Sequence, residues 1–478
     1  MNDASAQPVV VIGAGPVGLA AAAHLHERGL PFLVLEAGAG PGDAVTQWGH
    51  VRLFSPWRYN TDPAARRVLE AAGWQVPDPD VLPTGADFVG QYLAPLAQAP
   101  AIAAHIRYQA PVVAVTRLGL DRVRTAGRES TPFLVRLADG ADLTAAAVID
   151  ASGTFTTPNV LGASGIPAHG ETDPGVTAHI DPAMPDVLGT GRDRYAGRHT
   201  LVVGAGHSAA NTLLALATLA KQEPDTTITW AIRAASPART YGGGDDDALP
   251  ARGALGTILR EHVQAGRIRL LTSFSVHRLD RTDGGVEVTS IGPDGAEQTI
   301  TADWIVSATG FRPDHSITTE LRLDLDPILG STRTLAPLID PNEHSCGTVP
   351  PHGVDELGHP ESGFYAVGMK SYGRAPTFLM ATGYEQVRSV VAALAGDWDA
   401  ARDVHLDLPE TGVCSSSFLV DEDGRIQSDG AGGGCCGAPA AQPAAVGLAT
   451  GNRGGRLSAP LTLIPVGAPK DDQAGGCC

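Results

Sequence analysis

The chain contains 478 residues, enough for about three domains of average size. Charged residues make up 18% of it and hydrophobic residues 43%, a balance typical of folded globular proteins. The formal net charge of −18 argues against binding to nucleic acid or to an anionic membrane, because both need a basic surface. No apolar stretch is long enough to span a bilayer and no signal peptide is evident, so we expect a cytoplasmic protein.

The first motif is a glycine-rich turn close to the N-terminus. An apolar strand leads into Gly13, Gly15 and Gly18, and a helix is predicted over 19–28. The next strand ends at Glu36, so the segment has the βαβ pattern of a dinucleotide-binding unit. The glycines allow a tight turn, close approach of the backbone to a pyrophosphate, and close packing of helix on strand. Glu36 is expected to accept hydrogen bonds from ribose hydroxyls.

A second turn of the same kind begins at Gly204 and continues through Gly206 to Ala209. It follows an apolar strand and precedes a helix predicted over 211–221. The next strand ends without an acidic residue, and Arg233 comes directly after it. A guanidinium at this place suits the 2′-phosphate of NADPH; an ordinary surface arginine is the alternative.

Each half of the sequence then repeats the same order of elements. After the glycine turn come a helix, short alternating strands, and a returning strand that closes on a small-residue turn, at Gly153 in the first half and at 308–310 in the second. This similarity predicts two related nucleotide-binding domains.

A third segment has a strand ending at Gly368, followed by Thr382 and Glu385 in the pattern of a capping box. It predicts a helix beginning near Thr382, with its apolar part over 387–394. The N-terminus of this helix is expected to face the first cofactor, and the alternative is a plain capped helix without a cofactor contact.

The two glycine turns, together with Ala308, Thr309, Gly310 and Phe311, resemble those of the flavoproteins with two dinucleotide-binding domains, a superfamily that includes thioredoxin reductases and flavin-containing monooxygenases. The resemblance covers most of residues 8–397. It implies an α/β fold with two Rossmann-like three-layer domains, each with a small antiparallel β-meander, and it implies FAD on the first turn and NADPH on the second. The expected divisions are an FAD-binding domain over 1–165 and 306–414, an NADPH-binding domain over 166–305, and a flexible Gly/Ala/Pro-rich tail over 415–478.

Within that superfamily the sequence is most similar to the flavin monooxygenases. Residues 175–179 partly match a monooxygenase fingerprint, Gly-x-x-x-His, just before the second glycine turn. The segments 48–60 and 368–378 look like those of the flavin-binding monooxygenases encoded in bacterial arsenic-resistance operons. That resemblance implies oxygen transfer from a flavin hydroperoxide to a small soft nucleophile, with trivalent arsenicals as the favoured substrates and molecular oxygen as co-substrate.

Residue chemistry and the resemblance together give the candidate site residues. The aromatic side chains of Trp48, Phe54 and Trp57 are expected to wall the flavin, and Asn60 to donate a hydrogen bond to the oxygen intermediate; core packing and turn chemistry are the alternatives. The expected catalytic set is Asn60, Trp48, Trp57, Tyr372 and Cys346. The expected cofactor-binding set is Gly13, Gly15, Pro16, Gly18, Glu36, Trp48, Arg52, Gly153, Gly204, Gly206, Ser208, Ala209, Arg233, Ala308, Thr309, Gly310, Gly368 and Thr382.

All six cysteines lie in the last third of the sequence. Cys435 and Cys436 form one adjacent pair and Cys477 and Cys478 another, and glycines flank both pairs. Thiolates bind soft trivalent arsenicals and soft metals, so the pattern favours capture of such a species and thiol exchange with the active site. An inert disulfide or incidental cysteines are the alternative.

Two other functions stay open. One is a disulfide or metal-ion reductase of the thioredoxin-reductase type, but such enzymes hold a Cys-x-x-Cys or Cys-x4-Cys pair against the flavin, and the sequence has neither spacing. The other is a thiol protein that sequesters a soft metal without catalysis. The sequence leaves the oligomeric state open.

Overall fold

The computed structural model describes residues 7–242, 250–292, 295–344, 349–376 and 378–405, together with the backbone at 419–420 and 426–427. The chain divides into two units, 1–418 and 419–478. In the second unit the described part is an antiparallel pair of two-residue strands. Both glycine turns lie in the first unit.

The strands are short, and most of them are rich in valine, isoleucine and leucine. In chain order they are β1 (Val9–Ile12), β2 (Phe32–Leu35), β3 (Ile106–Arg107), β4 (Val112–Arg117), β5 (Phe133–Leu137), β6 (Asp142–Ala145), β7 (Ala147–Asp150), β8 (Ile180–Pro182), β9 (His199–Val203), β10 (Thr227–Ala231), β11 (Arg269–Leu271), β12 (Val276–Thr282), β13 (Gly285–Ile291), β14 (Glu297–Ala302), β15 (Trp304–Ser307), β16 (Phe364–Ala366), β17 (Leu419–Val420) and β18 (Ile426–Gln427).

Among the described residues, the four longest helices have 12 to 16 residues, and three of them follow a glycine turn or lie in the third segment. In chain order the α-helices are α1 (Pro16–Glu27), α2 (Asp43–Thr46), α3 (Trp57–Asn60), α4 (Pro63–Ala71), α5 (Gly85–Phe88), α6 (Ala94–Gln98), α7 (Pro100–Ala103), α8 (Pro174–Thr177), α9 (Arg192–Tyr195), α10 (His207–Gln222), α11 (Ala238–Tyr241), α12 (Pro250–Gln264), α13 (Ala336–Ile339), α14 (Val354–Leu357), α15 (Met380–Leu394) and α16 (Trp398–Arg402). A π-helical turn spans Val89–Leu93, and 3-10 turns span Ser316–Thr318 and Gly368–Tyr372. Within the part of the chain that the structure describes, no helix combines the length and the apolar character needed to cross a membrane.

The first sheet is parallel, with the strand order β16-β7-β1-β2-β3. Its central strand β1 is buried along its whole length, as expected for a strand covered on both faces. Val9 and Val11 point into a core shared with helices α1 and α15. Val10 and Ile12 point to the opposite face, where they pack with residues of the meander β4-β5-β6. Helices, sheet and meander therefore form three layers.

The second sheet is built in the same way, with the strand order β11-β10-β9-β15-β8. Val202 of β9 packs with α10 and α12 on one face. Leu201 and Val203 pack on the other face, against the meander β12-β14. Read in the opposite direction, the order matches that of the first sheet strand for strand, with β8 in the place of β16. The predicted α/β fold with two Rossmann-like three-layer domains is confirmed.

Candidate functional site

The first glycine turn connects β1 to α1 and has the geometry that a pyrophosphate needs. Gly13 has a φ of +101°, and a Cβ there would lie 2.8 Å from the carbonyl oxygen of Ala151 on the neighbouring strand end. A Cβ on Gly18 would lie 1.9 Å from the Gly13 oxygen, whereas a Cβ on Gly15 would meet nothing within 4 Å. Gly13 and Gly18 thus serve backbone packing, and Gly15 borders open space.

The N-terminus of α1 is available to an anion. The helix begins at Pro16, its N-cap residue Gly15 provides no side-chain hydrogen bond, and its first turn has no acidic residue. Its first backbone N–H groups therefore carry the partial positive charge of the helix dipole into the space beside Gly15. The arrangement fits the pyrophosphate of FAD.

Glu36 follows β2 and lies beside the same turn. Its Oε2 accepts a hydrogen bond of 2.6 Å from the backbone N–H of Ala14, and its Oε1 one of 2.7 Å from that of Gly38. These bonds fix the carboxylate, and each oxygen keeps a lone pair that can accept a ribose hydroxyl. The acidic residue thus lies where the sequence predicts it.

The second glycine turn repeats this arrangement at β9 and α10. Gly204 has a φ of +138°, and a Cβ there would lie 2.0 Å from the carbonyl oxygen of Ala308, while a Cβ on Gly206 would meet nothing within 4 Å. Helix α10 begins at His207, directly after Gly206, and has no acidic residue in its first turn. Ser208 lies in this first turn, and the small side chain of Ala209 is fully buried where the first turn has Gly18. This N-terminus fits a second dinucleotide phosphate.

Arg233 lies two residues beyond the end of β10, and its side chain is exposed. Its Nη1 donates a hydrogen bond of 3.0 Å to the carbonyl oxygen of Ala163. One bond to a neutral carbonyl leaves most of the guanidinium's donors available for a ligand phosphate. The position is compatible with the predicted contact to the 2′-phosphate of NADPH.

The turn after β7, which contains Gly153, lies against the first glycine turn. The turn after β15, which contains Gly310, lies against the second. Gly153 has a φ of +71° and Gly310 a φ of +86°, backbone conformations that favour glycine. In the second turn, Thr309 Oγ1 donates a hydrogen bond of 2.8 Å to the carbonyl oxygen of Asn159, whose side chain donates one of 3.0 Å to the Thr309 carbonyl. Ala151 and Ala308 are the residues that each glycine turn approaches closely.

The loop after β16 closes over the first glycine turn. Gly368 has a φ of +69°, and a Cβ there would lie 3.2 Å from the side chain of Val17 on α1. The backbone N–H of Gly368 donates a hydrogen bond of 2.7 Å to the side-chain oxygen of Gln386 on α15. Gln386 in turn donates 3.0 Å to Nε2 of His352 and 2.9 Å to Oγ of Ser371. This network fixes the loop beside the candidate flavin site.

A buried ion pair that the sequence analysis did not identify joins the same loop to β7. Nζ of Lys370 lies 2.6 Å from Oδ2 of Asp150 and 3.1 Å from Oγ of Ser152, and the side chains of Lys370 and Asp150 are 2% and 0% exposed. Burial alone raises the pKa of the Asp150 carboxyl, but the Lys370 ammonium and the hydrogen bonds outweigh it, so the pKa is lowered. Asp150 at the end of an apolar strand is a visible signal in the sequence, but its partner lies 220 residues away.

Asn60 is the last residue of α3 and is 1% exposed. Its side-chain oxygen accepts a hydrogen bond of 2.7 Å from Oγ of Ser55, and its Nδ2 donates one of 2.7 Å to the Ser55 carbonyl. Its own carbonyl accepts a hydrogen bond of 2.8 Å from Oη of Tyr384 on α15. The amide is thus held rigidly, with one N–H engaged in fixing the loop.

The predicted aromatic residues lie in different environments. Trp57 is 3% exposed, and its ring packs against that of Phe88 in the core, at a centroid distance of 6.0 Å. Trp48 is half-buried and packs against Gly85. Phe54 packs against the ring of His207, the first residue of α10, at 5.2 Å. Burial favours the core alternative for Trp57, whereas Phe54 connects the 48–60 segment to the second glycine turn.

Two further candidates are Arg52 and Tyr372. Arg52 is exposed, and its Nη1 donates a hydrogen bond of 2.6 Å to the Leu82 carbonyl. Together with Met184 and Asn211 it lines a cavity of about 200 Å³ between the 50–52 segment and helix α10. Tyr372 is 1% exposed and packs edge-on against Phe378, at 5.2 Å.

The third segment differs from the predicted capping box. Helix α15 begins at Met380 with Leu379 as its N-cap, so Thr382 and Glu385 lie inside the helix, and neither caps it. Glu385 pairs instead with Arg388 one turn later, at 2.7 Å. The capping prediction is therefore wrong, because the helix already begins at Met380, two residues before Thr382, and the Glu385 carboxylate binds Arg388.

The partial fingerprint at 175–179 also has a structural use. Nδ1 of His179 lies 2.8 Å from the Asp303 carbonyl, and its ring stacks on that of Trp304 at 4.9 Å. These two contacts connect the start of β8 to the start of β15. Cys346 and the tail cysteines Cys435, Cys436, Cys477 and Cys478 lie outside the described residues.

Comparison with known proteins agrees with this architecture. Residues 10–345 match the family model for the pyridine nucleotide-disulphide oxidoreductases. No curated protein matches the sequence.

Among solved structures, the chain is similar to the bacillithiol disulfide reductase Bdr of Bacillus cereus, with 18% identity, a TM-score of 0.59, and coverage of 82% of this chain and 99% of that one. It is also similar to the FAD-bound cadaverine monooxygenase of desferrioxamine biosynthesis from Erwinia amylovora, with 12% identity, a TM-score of 0.59, and coverage of 86% and 99%. A flavin-containing monooxygenase from Stenotrophomonas maltophilia matches with 22% identity, a TM-score of 0.50, and coverage of 81% and 99%. At these identities the similarity establishes the fold.

The family model covers well over half of the chain, and both glycine turns fit the phosphates of a dinucleotide. The chain belongs to the pyridine nucleotide-disulphide oxidoreductase family and is a flavin-dependent oxidoreductase with FAD and NADPH as its cofactors.

Proposed function

We propose that the protein is an NADPH-dependent flavin monooxygenase that transfers one oxygen atom to a soft nucleophile, with trivalent arsenicals as its substrates. One observation carries the choice of oxygen over a disulfide as electron acceptor. No cysteine precedes position 346, and none of the described residues around the first glycine turn is a cysteine. A reductase that passes electrons to a disulfide through its own dithiol lacks that dithiol here.

Bound FAD supplies the redox ring that accepts a hydride from NADPH and passes electrons to oxygen. The residues of the chain bind and orient. Gly15 and the start of α1 hold the FAD pyrophosphate, and Glu36 holds the ribose. Gly206 and the start of α10 hold the NADPH phosphates, with Arg233 on the 2′-phosphate. The rigidly held amide of Asn60 offers its second N–H to an oxygen atom at the reacting centre.

The choice of substrate is supported by chemistry and by the resemblance of the segments 48–60 and 368–378. Trivalent arsenic has a lone pair that attacks an electrophilic oxygen. NADPH loses two electrons and arsenic loses two as it becomes pentavalent; one atom of dioxygen forms the new As–O bond, and the other leaves as water with a proton from solvent and the hydride of NADPH. The thiols of the two cysteine pairs bind the trivalent form, because arsenic is a soft acceptor, and exchange it toward the site.

A disulfide reductase is the second candidate. The family description and the fold of the bacillithiol disulfide reductase favour it. In such a reaction the substrate disulfide would take electrons directly from reduced flavin, without a protein dithiol.

The test measures NADPH oxidation and the oxidation state of arsenic in air, with arsenite, with methylarsenite and without an arsenical. We expect pentavalent product in proportion to the NADPH oxidised. Equal NADPH consumption in all arms and no pentavalent product would remove the arsenical proposal.

A chain that ends at residue 414 serves as a matched variant for the tail. We expect it to keep reduction of its flavin by NADPH and to need a higher concentration of arsenical for the same rate. Loss of flavin reduction in this variant would contradict a role of the tail limited to substrate capture.

A further inference from the structure

A cavity of about 330 Å³ opens on the first domain at the end of the meander β4-β5-β6. None of the residues that line it belongs to either glycine turn. Its walls include the guanidinium groups of Arg117, Arg128 and Arg322, the carboxylate of Glu361, and the hydroxyl-bearing residues Thr125 and Ser130. The chemistry described above leaves this cavity without a role.

The charges in its wall are not balanced. Nε of Arg117 lies 2.7 Å from Oε1 of Glu361, and Nη2 of Arg128 lies 2.7 Å from Oε2 of the same carboxylate. The three side chains are 3%, 5% and 1% exposed, in the order Arg117, Arg128, Glu361. Among the described residues, Glu361 is the carboxylate that both guanidiniums contact, so one buried positive charge has no counter-charge. The other contacts of the two arginines are to groups without a formal charge. They include the backbone carbonyls of Thr131 and Asp121 and the ring of Phe133, whose centroid lies 3.7 Å from Cζ of Arg117.

The ionisation state of Glu361 does not remove this imbalance. Burial alone raises the pKa of the Glu361 carboxyl, but the hydrogen bonds from Arg128 and Arg117 outweigh it, so the pKa is lowered and the group stays charged at neutral pH. Glu361 therefore contributes one full negative charge against the two positive charges of Arg117 and Arg128, and one positive charge is left unbalanced.

Arg322 brings a third guanidinium to the cavity. Its Nε donates to the Arg122 carbonyl at 2.9 Å, and its Nη2 donates to the Val123 carbonyl and to Oγ1 of Thr125. Its Nη1 makes no hydrogen bond to any described residue. The exposed side chain of Glu129 also lines the cavity. Three guanidiniums against two carboxylates still leave a net positive charge, within a chain whose overall charge is −18.

We propose that this cavity binds a phosphate group, either as inorganic phosphate or on a small metabolite. A buried guanidinium without a counter-charge is costly, and an anion in the cavity removes that cost. Guanidinium groups offer donors that match the oxygens of a phosphate. The Thr125 hydroxyl accepts a hydrogen bond from Arg322 and can add a neutral donor, whereas the Ser130 hydroxyl already donates to the Gly127 carbonyl. The volume lies at the lower end of the range of about 300–1,000 Å³ for small-molecule sites. The bound anion would connect the 121–130 loop to the segments around Arg322 and Glu361.

The experiment is titration calorimetry on the full-length enzyme saturated with FAD and NADP⁺, so that both glycine turns are already occupied. The probes are inorganic phosphate and glycerol phosphate, with chloride at matched ionic strength as the control. We expect saturable binding of phosphate and none of chloride. Tighter binding of the ester assigns the site to a phosphorylated metabolite, and equal binding assigns it to inorganic phosphate. Absence of saturable binding of both phosphates at millimolar concentration overturns the proposal.

Two variants and one matched control locate the binding. Arg322→Gln should weaken phosphate binding about tenfold, the effect of losing one charged hydrogen-bond donor. Glu129→Gln removes an exposed repelling charge that makes no hydrogen bond or ion pair with the described residues, and should tighten binding about threefold. Arg136→Gln removes an exposed arginine of the same meander that pairs with Asp142 outside the cavity, and should leave binding unchanged.

The pattern across the three variants decides the outcome. If Arg322→Gln does not fold, the phosphate affinities of Glu129→Gln and Arg136→Gln are compared instead. Both positions are exposed, so both variants should fold. Phosphate binding that responds to none of the variants, or that responds equally to Arg136→Gln, contradicts a site in this cavity.

Discussion

At the scale of single residues, Lys370 and Asp150 form a buried ion pair beside the first candidate cofactor site. Asp150 ends β7 immediately before the turn at Gly153, and Lys370 belongs to the loop that begins at Gly368. The ion pair therefore holds together two of the backbone segments that surround the candidate flavin site. Both groups are buried, so either one alone would be an unpaired charge in the core.

Lys370→Met should lower the free energy of unfolding by about 3–5 kcal/mol at neutral pH, because it leaves the Asp150 carboxylate buried without its partner. In the native protein the lowered pKa of Asp150 contributes stability above its unfolded value of about 3.9, and this contribution is lost as the pH falls through the folded pKa. In the variant, burial without the ammonium raises the pKa of Asp150, so the carboxyl takes up a proton at higher pH.

The difference in stability between the two proteins should therefore shrink as the pH is lowered from about 7 towards about 4. Urea unfolding of the flavin-loaded proteins at several pH values measures it. The double variant with Asp150→Asn is the control and should recover part of the loss. A difference that is the same at every pH would contradict the assignment of the loss to the buried carboxylate.

Asn60 permits a second test at this scale. Asn60→Asp keeps the shape of the side chain and can still accept the hydrogen bond from Ser55 Oγ, but it donates neither to the Ser55 carbonyl nor to an oxygen atom at the reacting centre. We expect NADPH oxidation to continue while the fraction coupled to substrate oxygenation falls, with hydrogen peroxide as the alternative product. Ser55→Ala is the positioning control. Equal coupling in Asn60→Asp and in the native enzyme would remove Asn60 from the reacting centre.

At the scale of elements, the two glycine turns have matching geometry, and the proposal assigns them to different cofactors. Gly15 and Gly206 both border open space, so each tolerates a Cβ in the protein without cofactor. Gly15→Ala should keep the fold and lose FAD, whereas Gly206→Ala should keep FAD and bind NADPH at least about tenfold more weakly, because the added methyl occupies the place of a phosphate. Flavin absorbance and titration with NADP⁺ measure the two effects.

Gly18→Ala is the control for this pair of variants. Its Cβ would lie 1.9 Å from the Gly13 oxygen, so it should destabilise the packing of α1 on β1 as well as remove FAD. Loss of FAD in Gly206→Ala, or of NADP⁺ binding alone in Gly15→Ala, would reverse the assignment of the two cofactors to the two turns.

The elements also show how far the sequence predicts the fold. The glycine turns, the strand at 32–35 and the acidic residue after it follow from local patterns, and the structure has them in those places. Helix α10 begins four residues before the predicted start at 211, since polar His207 and Ser208 continue the helix directly from Gly206. Helix α15 likewise begins before Thr382, since Met380 and Ala381 are good helix formers. Within it, Gln386 and Tyr384 bind the backbone of Gly368 and Asn60. These long-range partners leave no local trace in the sequence.

At the scale of the whole molecule, the chain uses one architecture twice. Both sheets have the same strand order, with a meander on one face and helices on the other, and the edge strand of the first sheet comes from the segment that returns after the second domain. This architecture contains the two glycine turns, the Lys370–Asp150 ion pair and the hydrogen-bond network around Gln386. None of the described residues is a cysteine. Among these residues, therefore, no protein dithiol can receive the electrons that reach the flavin from NADPH.

The most direct test of this account compares NADPH oxidation by the flavin-loaded enzyme in air and under strict anaerobic conditions, with arsenite or a low-molecular-weight disulfide as the second substrate. We predict multiple-turnover oxidation of NADPH in air with arsenite. Without oxygen, oxidation should stop after a single reduction of the flavin, whichever second substrate is present. Continued anaerobic turnover with the disulfide would contradict the account and identify the protein as a disulfide reductase.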